Sequence, residues 1–343
     1  MSNLTTNFSH TVGIDIAKSV FQIHACDTQT GEIVDRQLRR EQVLEHFANR
    51  APCLIGMESC GGSQYWARKL VELGHTVRLM DGKLVKPFVS RNKSDRADAE
   101  GIWVALTQNV RCVAVKGRME RDIQALLTMR SRLVSHRTAC VNHVRGLLME
   151  YGQVIPKSLS KFESMVDGCI NELDGDAVPL VIETLHSIVQ QVRESSRQIG
   201  QLTDEIRKLA KQTRHADNLL SVPGVGVVTM AYMCVLLSDP GVFSSGRQFA
   251  AYLGLVPMHV GSGGKSINTH IPCRCNKALR ALLIECAHGV ARMRNPSPWV
   301  SGILEKKPRK VALVAIANRI ARQCWAVAKN NQAWRMIPQA TAA

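Results

Sequence analysis

The chain has 343 residues, 45% of them apolar, and carries 44 lysines and arginines against 28 aspartates and glutamates, a formal charge of +16. That length allows two or three separate cores, and the basic excess points to a polyanionic partner. No run reaches the ~18 uninterrupted apolar residues of a membrane-spanning helix, and the polar opening from Met1 to His10 is unlike a signal peptide, so the expectation is a cytoplasmic protein with no membrane partner.

Eleven cysteines contain no C-x-x-C pair, and their odd total argues against a complete disulfide framework. Cys273-x-Cys275, with His270 and His288 nearby, misses the usual zinc spacing and reads as reduced packing thiols. The charge is unevenly spread. From Lys265 onward there are 14 basic residues and two acids, Glu285 and Glu305, so this segment alone carries +12. No Lys-rich amphipathic helix with an aromatic face stands out, which favours nucleic acid over a membrane surface.

In chain order, Val12-Gly13-Ile14-Asp15-Ile16 is an apolar run with strand propensity and a carboxylate in its middle. Burying that group unpaired would cost on the order of several kcal/mol, so Asp15 requires compensation. Residues 20–26 and 33–38 read as further strands, joined by an Asp27-Thr28-Gln29-Thr30-Gly31 turn. A helix over 41–48 follows, then a strand ending at Glu58, a helix over 63–73 and a strand over 76–80. Three antiparallel strands followed by alternating strand and helix is a ribonuclease H plan, in which acids converge at strand ends. Asp95 and Asp98 lie where the pattern turns helical. Three apart, they share one helix face, about 4.5 Å apart along the axis, a spacing suited to metal ligation. Oxygen-rich clusters of this kind hold the paired hard cations used in phosphoryl transfer.

Near Gly117 the pattern changes to long helices. Val181, Leu185, Ile188, Val192, Ser195, Ile199, Leu202, Ile206 and Leu209 step by fours and threes, a heptad seam that can zip onto the preceding helix or onto another chain. Residues 152–156 hold the expected bend between the two arms. The segment Leu219-Leu220-Ser221-Val222-Pro223-Gly224-Val225-Gly226 resembles a helix-hairpin-helix module, whose amide groups can hold a phosphate; a simple turn is the alternative. Gly261-Ser262-Gly263-Gly264-Lys265-Ser266 imitates the tail of a P-loop, but His259 stands where the required first glycine belongs. A glycine-flanked serine exposes its hydroxyl and becomes a nucleophile only where a charged site activates it.

The order strand Asp15, strand Glu58, helical Asp95-x-x-Asp98 resembles the DEDD tetrad of RuvC-like nucleases. Together with Tyr252-Leu253-Gly254-Leu255-Val256-Pro257, Ser262-Gly263-Gly264-Lys265 and Leu279-Arg280-Ala281-Leu282-Leu283, it is similar over roughly residues 11 to 295 to the DEDD-type insertion-sequence transposases, relatives of the Piv DNA invertase. The resemblance implies an α/β plus α chain: a RuvC-like ribonuclease H domain (1–116), a helical coiled-coil middle (117–216) and a mostly α C-terminal transposase domain (217–343). It implies that Asp15, Glu58, Asp95 and Asp98 hold one or two Mg²⁺ ions and that Ser262 attacks the scissile phosphate. A structured bridge RNA would guide the enzyme, which would act on donor and target double-stranded DNA as a homo-oligomer, dimer or tetramer, in the bacterial cytosol. Lys265, Arg274, Lys277, Arg280, Lys306, Lys307, Arg309 and Lys310 are the candidate nucleic-acid contacts. The chain departs from its relatives at His270-Ile271-Pro272-Cys273-Arg274-Cys275-Asn276, where they carry a Ser-Lys-Arg-Gly-type basic turn.

Three rivals remain open at this level. A RuvC-like Holliday-junction endonuclease would use metal-activated water and leave Ser262 idle. An actin-like kinase also opens on Gly-Ile-Asp, but the second phosphate loop is missing. A catalytically inert RNA scaffold has no use for four intact acids.

Overall fold

A computed structural model of the chain describes residues 8–89, 94–108, 110–173, 175–262, 265–268, 270–273 and 275–335, with backbone alone for 259–262 and 265–268. It divides into two compact units: residues 1–118 with 236–244, and 119–235 with 245–343.

The first unit is built on β1 (His10–Ile16), β2 (Val20–Asp27) and β3 (Ile33–Arg39), then α1 (Val43–Ala48), β4 (Leu54–Glu58), α2 (Ser63–Glu72), β5 (Thr76–Met80), α3 (Gly82–Val85), α4 (Asp95–Thr107) and β6 (Cys112–Val113). The sheet order is β3-β2-β1-β4-β5-β6. β1, β2 and β3 are antiparallel, β4 and β5 run parallel to β1, and β6 returns antiparallel on β5. This mixed sheet agrees with the ribonuclease H plan read from the sequence.

The two faces of the sheet explain its composition. Val12 and Ile14 of β1, Phe21 and Ile23 of β2, and Ile55 and Met57 of β4 pack with Phe47 of α1 and with Trp66 and Leu70 of α2. On the opposite face Leu54, Met80 and Val85 pack with Ile102, Ala105 and Leu106 of α4. Covered on both sides, the central strands need apolar residues at nearly every position, which is why they read as continuous rather than alternating runs. Thr11, Gly13 and Asp15 share the α4 face by the period of two in a strand. Here the Trp103 indole donates to the Thr11 hydroxyl at 2.9 Å.

The second unit is helical. It contains α5 (Arg118–Glu150), α6 (Leu159–Asn171), α7 (Pro179–Lys211), α8 (Ala216–Leu220), α9 (Val227–Leu236), α10 (Gly246–Tyr252), the hairpin β7 (His259–Ser262) and β8 (Lys265–Asn268), α11 (Lys277–Ala291), α12 (Pro298–Lys306) and α13 (Arg309–Asn330). Arg130 of α5 donates to Thr203 of α7, and Arg137 to Ser196. Advancing along α5 thus means retreating along α7, so the two 33-residue helices are antiparallel. Leu185 and Val192 of the seam, with the neighbouring Val189, pack on Val141, Val144 and Leu148 of α5 and on Phe162 and Val166 of α6. Within this chain the heptad seam closes intramolecularly. The bend falls where expected, at Gly152, whose φ of 78° suits a residue without Cβ.

α13 is long and apolar enough to cross a bilayer by length and composition, but it is the core helix of this unit. Ala312, Leu313, Ile316, Ala317, Ile320, Ala321 and Cys324 are buried along it, and α8, α10, α11 and α12 pack around it.

Candidate metal centre

Asp15 sits next to last on β1, opposite Gln22 of β2. Asp95 and Asp98 fall in the first turn of α4, whose start is capped by the Ser94 hydroxyl accepting from the Ala97 amide at 3.2 Å. Acids there also complement the helix dipole. What carries this turn to the strand is Gly13: a Cβ on it would lie 2.3 Å from the Ala99 carbonyl oxygen and 2.7 Å from the Trp103 amide nitrogen. The α4 backbone therefore rests directly on the β1 backbone, and Asp15, two residues along the same face, meets the start of the helix.

The result is a carboxylate trio. One oxygen each from Asp15, Asp95 and Asp98 lie within 4.8 Å of one another. Glu58, the last residue of β4, stands close enough to repel Asp15. Its carboxylate lies over Gly82 at the start of α3, where a Cβ would come within 2.3 Å of Oε1. Among the described residues none of these four acids is ion-paired with a basic side chain. Burial first, then repulsion from Asp98, Asp95 and Glu58, pushes the Asp15 carboxyl up from 3.8 to about 6. Uncompensated like charges with oxygen donors only are the chemistry of a hard divalent cation such as Mg²⁺ or Mn²⁺, so the residues fit such an ion.

Three further residues, Asp35, Gly13 and Gly82, shape the site without any signal of function in their sequence context. Asp35 of β3 accepts from Arg96 at 2.7 Å and contacts the His24 ring at 2.8 Å, tying the residue between the two helical acids to the sheet. Gly13 and Gly82 supply the close approaches. For the first of these, an isolated glycine inside a strand pattern signals only a close backbone approach.

The other predicted residues are dispersed. Ser262 ends β7, opposite Lys265 of β8, in the second unit; the side chains of both lie outside the described residues, as does Arg274 altogether. Arg280 uses its guanidinium on the carbonyls of Pro272 at 2.6 Å and Gly254 at 3.4 Å, bracing the loop before α11. Lys277 is exposed at the start of α11, and Lys306, Lys307, Arg309 and Lys310 are exposed at the junction of α12 and α13. Gly224, in the turn before α9, has φ of 85° and would carry a Cβ 2.9 Å from the Cys286 carbonyl oxygen. That glycine is required for packing on α11.

Two family descriptions match separate parts of the chain. One, a DEDD transposase of IS110 type described as "Transposase", matches residues 12–153. The other, "Transposase IS116/IS110/IS902 family", matches residues 216–300. Among similar proteins, a "Probable family 20 transposase" of Pseudomonas aeruginosa is 36% identical over 331 residues, covering 94% of this chain and 98% of that protein. The "Transposase for insertion sequence element IS1111A" of Coxiella burnetii is 32% identical, covering 94% and 91%. A "Pilin gene-inverting protein" of Moraxella lacunata is 30% identical over 152 residues, 41% of this chain and 46% of that one.

Proposed function

Because this chain belongs to the IS110/IS116/IS902 family of DEDD transposases, whose activity is the cutting and rejoining of DNA, we propose that it does so through Ser262 with the help of a divalent-metal carboxylate site. The observation that carries this reading is the gathering of Asp15, Asp95 and Asp98 within 4.8 Å, without basic partners among the described residues. Asp15, Glu58, Asp95 and Asp98 are the residues that would hold Mg²⁺, one ion or two. Bound there, the cation supplies charge stabilisation at the scissile phosphate. The Ser262 oxygen forms a bond to phosphorus as the bond to a sugar oxygen breaks; the serine gives up its proton and the departing oxygen gains one. The covalent phosphoserine keeps the bond energy, and attack by another strand end reverses the step without ATP.

In this reading residues 1–116 form the metal domain, 117–216 a coiled-coil middle and 217–343 the domain that delivers the serine. A structured guide RNA reads the target by base pairing, as in other guided enzymes, and a dimer or tetramer brings the serine to the acids. The exposed cations Lys277, Lys306, Lys307, Arg309 and Lys310 support polyanion binding. The partial match to a pilin gene-inverting protein is in keeping with inversion-like strand exchange.

The test is a Ser262→Ala variant, assayed with RNA that copurifies with the full-length protein and with matching DNA. Recombination through serine predicts a Mg²⁺-dependent protein–DNA adduct on denaturing gels in the wild type and none in the variant. A variant that still cuts would instead identify a junction endonuclease using water.

A further inference from the structure

The second unit has a groove of about 1320 Å³ beside α13, walled by α10, α12 and the segments flanking the β7–β8 hairpin. Its lining includes Arg247, Lys310, Arg319 and Arg322, together with Trp299 and Trp325, and among the described residues it contains no aspartate or glutamate. The four cations are exposed, and among the described residues none of them is ion-paired. The Arg319 guanidinium stacks over the Trp299 ring, 4.5 Å from its centre. Both tryptophans are half-buried and contribute to the wall of the groove.

We propose that this groove binds an unpaired stretch of the DNA on which the enzyme acts. Its volume exceeds the roughly 300–1,000 Å³ of small-molecule pockets, which suits a segment of polymer. Unpaired basic groups along an aromatic-lined channel answer to a phosphate backbone with exposed base faces. A duplex stacks its bases internally and offers the tryptophans no face to cover. The concave shape also excludes a flat anionic bilayer. The position of the groove points to DNA: Pro257 and His270, which flank the two feet of the hairpin carrying Ser262, line it, and the Met258 amide closes that hairpin base on the His270 carbonyl at 3.2 Å. A strand held here lies beside the segment that bears the serine. The proposal rests on the DNA-acting reading, and its choice of DNA over RNA rests on the role proposed there for Ser262.

The experiment uses full-length protein and fluorescein-labelled probes of about twenty units: oligo-dT, a mixed-sequence DNA duplex and oligo-U, titrated by anisotropy over a range of salt concentrations. Arg247→Gln with Arg322→Gln, and separately Trp299→Leu, should each weaken oligo-dT binding at least tenfold. The double variant should also reduce the slope of log affinity against log salt by about two. Oligo-dT should quench tryptophan emission in the wild type, and the Trp299→Leu variant should lose part of that quenching. Lys211→Gln, on an exposed helix end elsewhere, should change nothing, and circular dichroism should show every variant folded. An Asp98→Asn variant should bind oligo-dT normally while losing strand exchange, which separates a failure of the groove from a failure of the metal site. Unchanged oligo-dT binding in the folded groove variants overturns the proposal, as does an equal loss of duplex binding or oligo-U binding ten times tighter than oligo-dT.

Discussion

Asp15 shows how one side chain can register a whole site. Its carboxyl is held up at about 6, by burial first and by Asp98, Asp95 and Glu58 after that, whereas in the unfolded chain it returns to the ordinary 3.8. The folded state therefore holds the proton more tightly. The stability this confers is fully present below about pH 4 and is lost as pH rises through 6. In EDTA, Asp15→Asn should raise the thermal midpoint relative to wild type at pH 8, and the difference should shrink toward pH 4.5. A constant difference across that range would mean that Asp15 does not feel its neighbours. Divalent ions compete with the same proton, so Mg²⁺ affinity measured by titration calorimetry should fall steeply below pH 6. The carboxylate could be found in the sequence because an acid inside an apolar strand needs a reason. Asp35, in a polar edge strand, raised no such question, and its bridge from His24 to Arg96 depends on a register between β2 and β3 that spacing alone does not give.

Elements meet at the site through backbone contact. Gly13→Ala forces a methyl group into the Ala99 carbonyl and the Trp103 amide, neither of which can move without displacing α4. The cost should be about 1–3 kcal/mol, with Mg²⁺ affinity down at least tenfold. Gly146 of α5 makes a contrasting control: a Cβ there meets nothing within 4 Å, so Gly146→Ala should be neutral or stabilising by up to about 1 kcal/mol, as read from chemical denaturation. Leu185, buried between α5, α6 and α7, belongs to the other unit. Its replacement by Ala should cost about 2–5 kcal/mol in the melting of the helical unit and leave Mg²⁺ affinity unchanged. Strand and helix positions were legible here because hydrophobic period survives in a single sequence: residues 63–73 became Ser63–Glu72 and residues 76–80 became Thr76–Met80. α6 does not stand out as a separate helix in the sequence, since Leu159–Asn171 lies between a long helical pattern and the louder heptad seam. The two-residue strand β6 has too little pattern to detect. The groove was illegible for a different reason: Arg247, Trp299 and Arg322 come from three segments that only the packing around α13 brings together.

At the scale of the whole molecule, charge and chemistry are distributed unequally. The acids of the candidate metal centre occupy the first unit, while the segment from Lys265 carries 14 basic residues against two acids and lies in the second. Such a chain should bind DNA with an affinity that falls steeply as salt rises, and gel-shift titrations between low and physiological salt would show it. Sequence pattern marked both halves of the proposed machinery, since an acidic tetrad and a glycine-flanked serine are local features. It is silent on how they come together, because that depends on contacts between surfaces and on partners rather than on the period of any one segment. Whether serine chemistry is used at all depends on a more elementary matter, namely whether the carboxylates hold metal. The most direct measurement is an anomalous difference map from crystals soaked in Mn²⁺. A peak bonded to oxygens of Asp15, Asp95 and Asp98, lost in Asp98→Asn, is the predicted result. Strand exchange by a protein whose map shows no ion at those three side chains would contradict it.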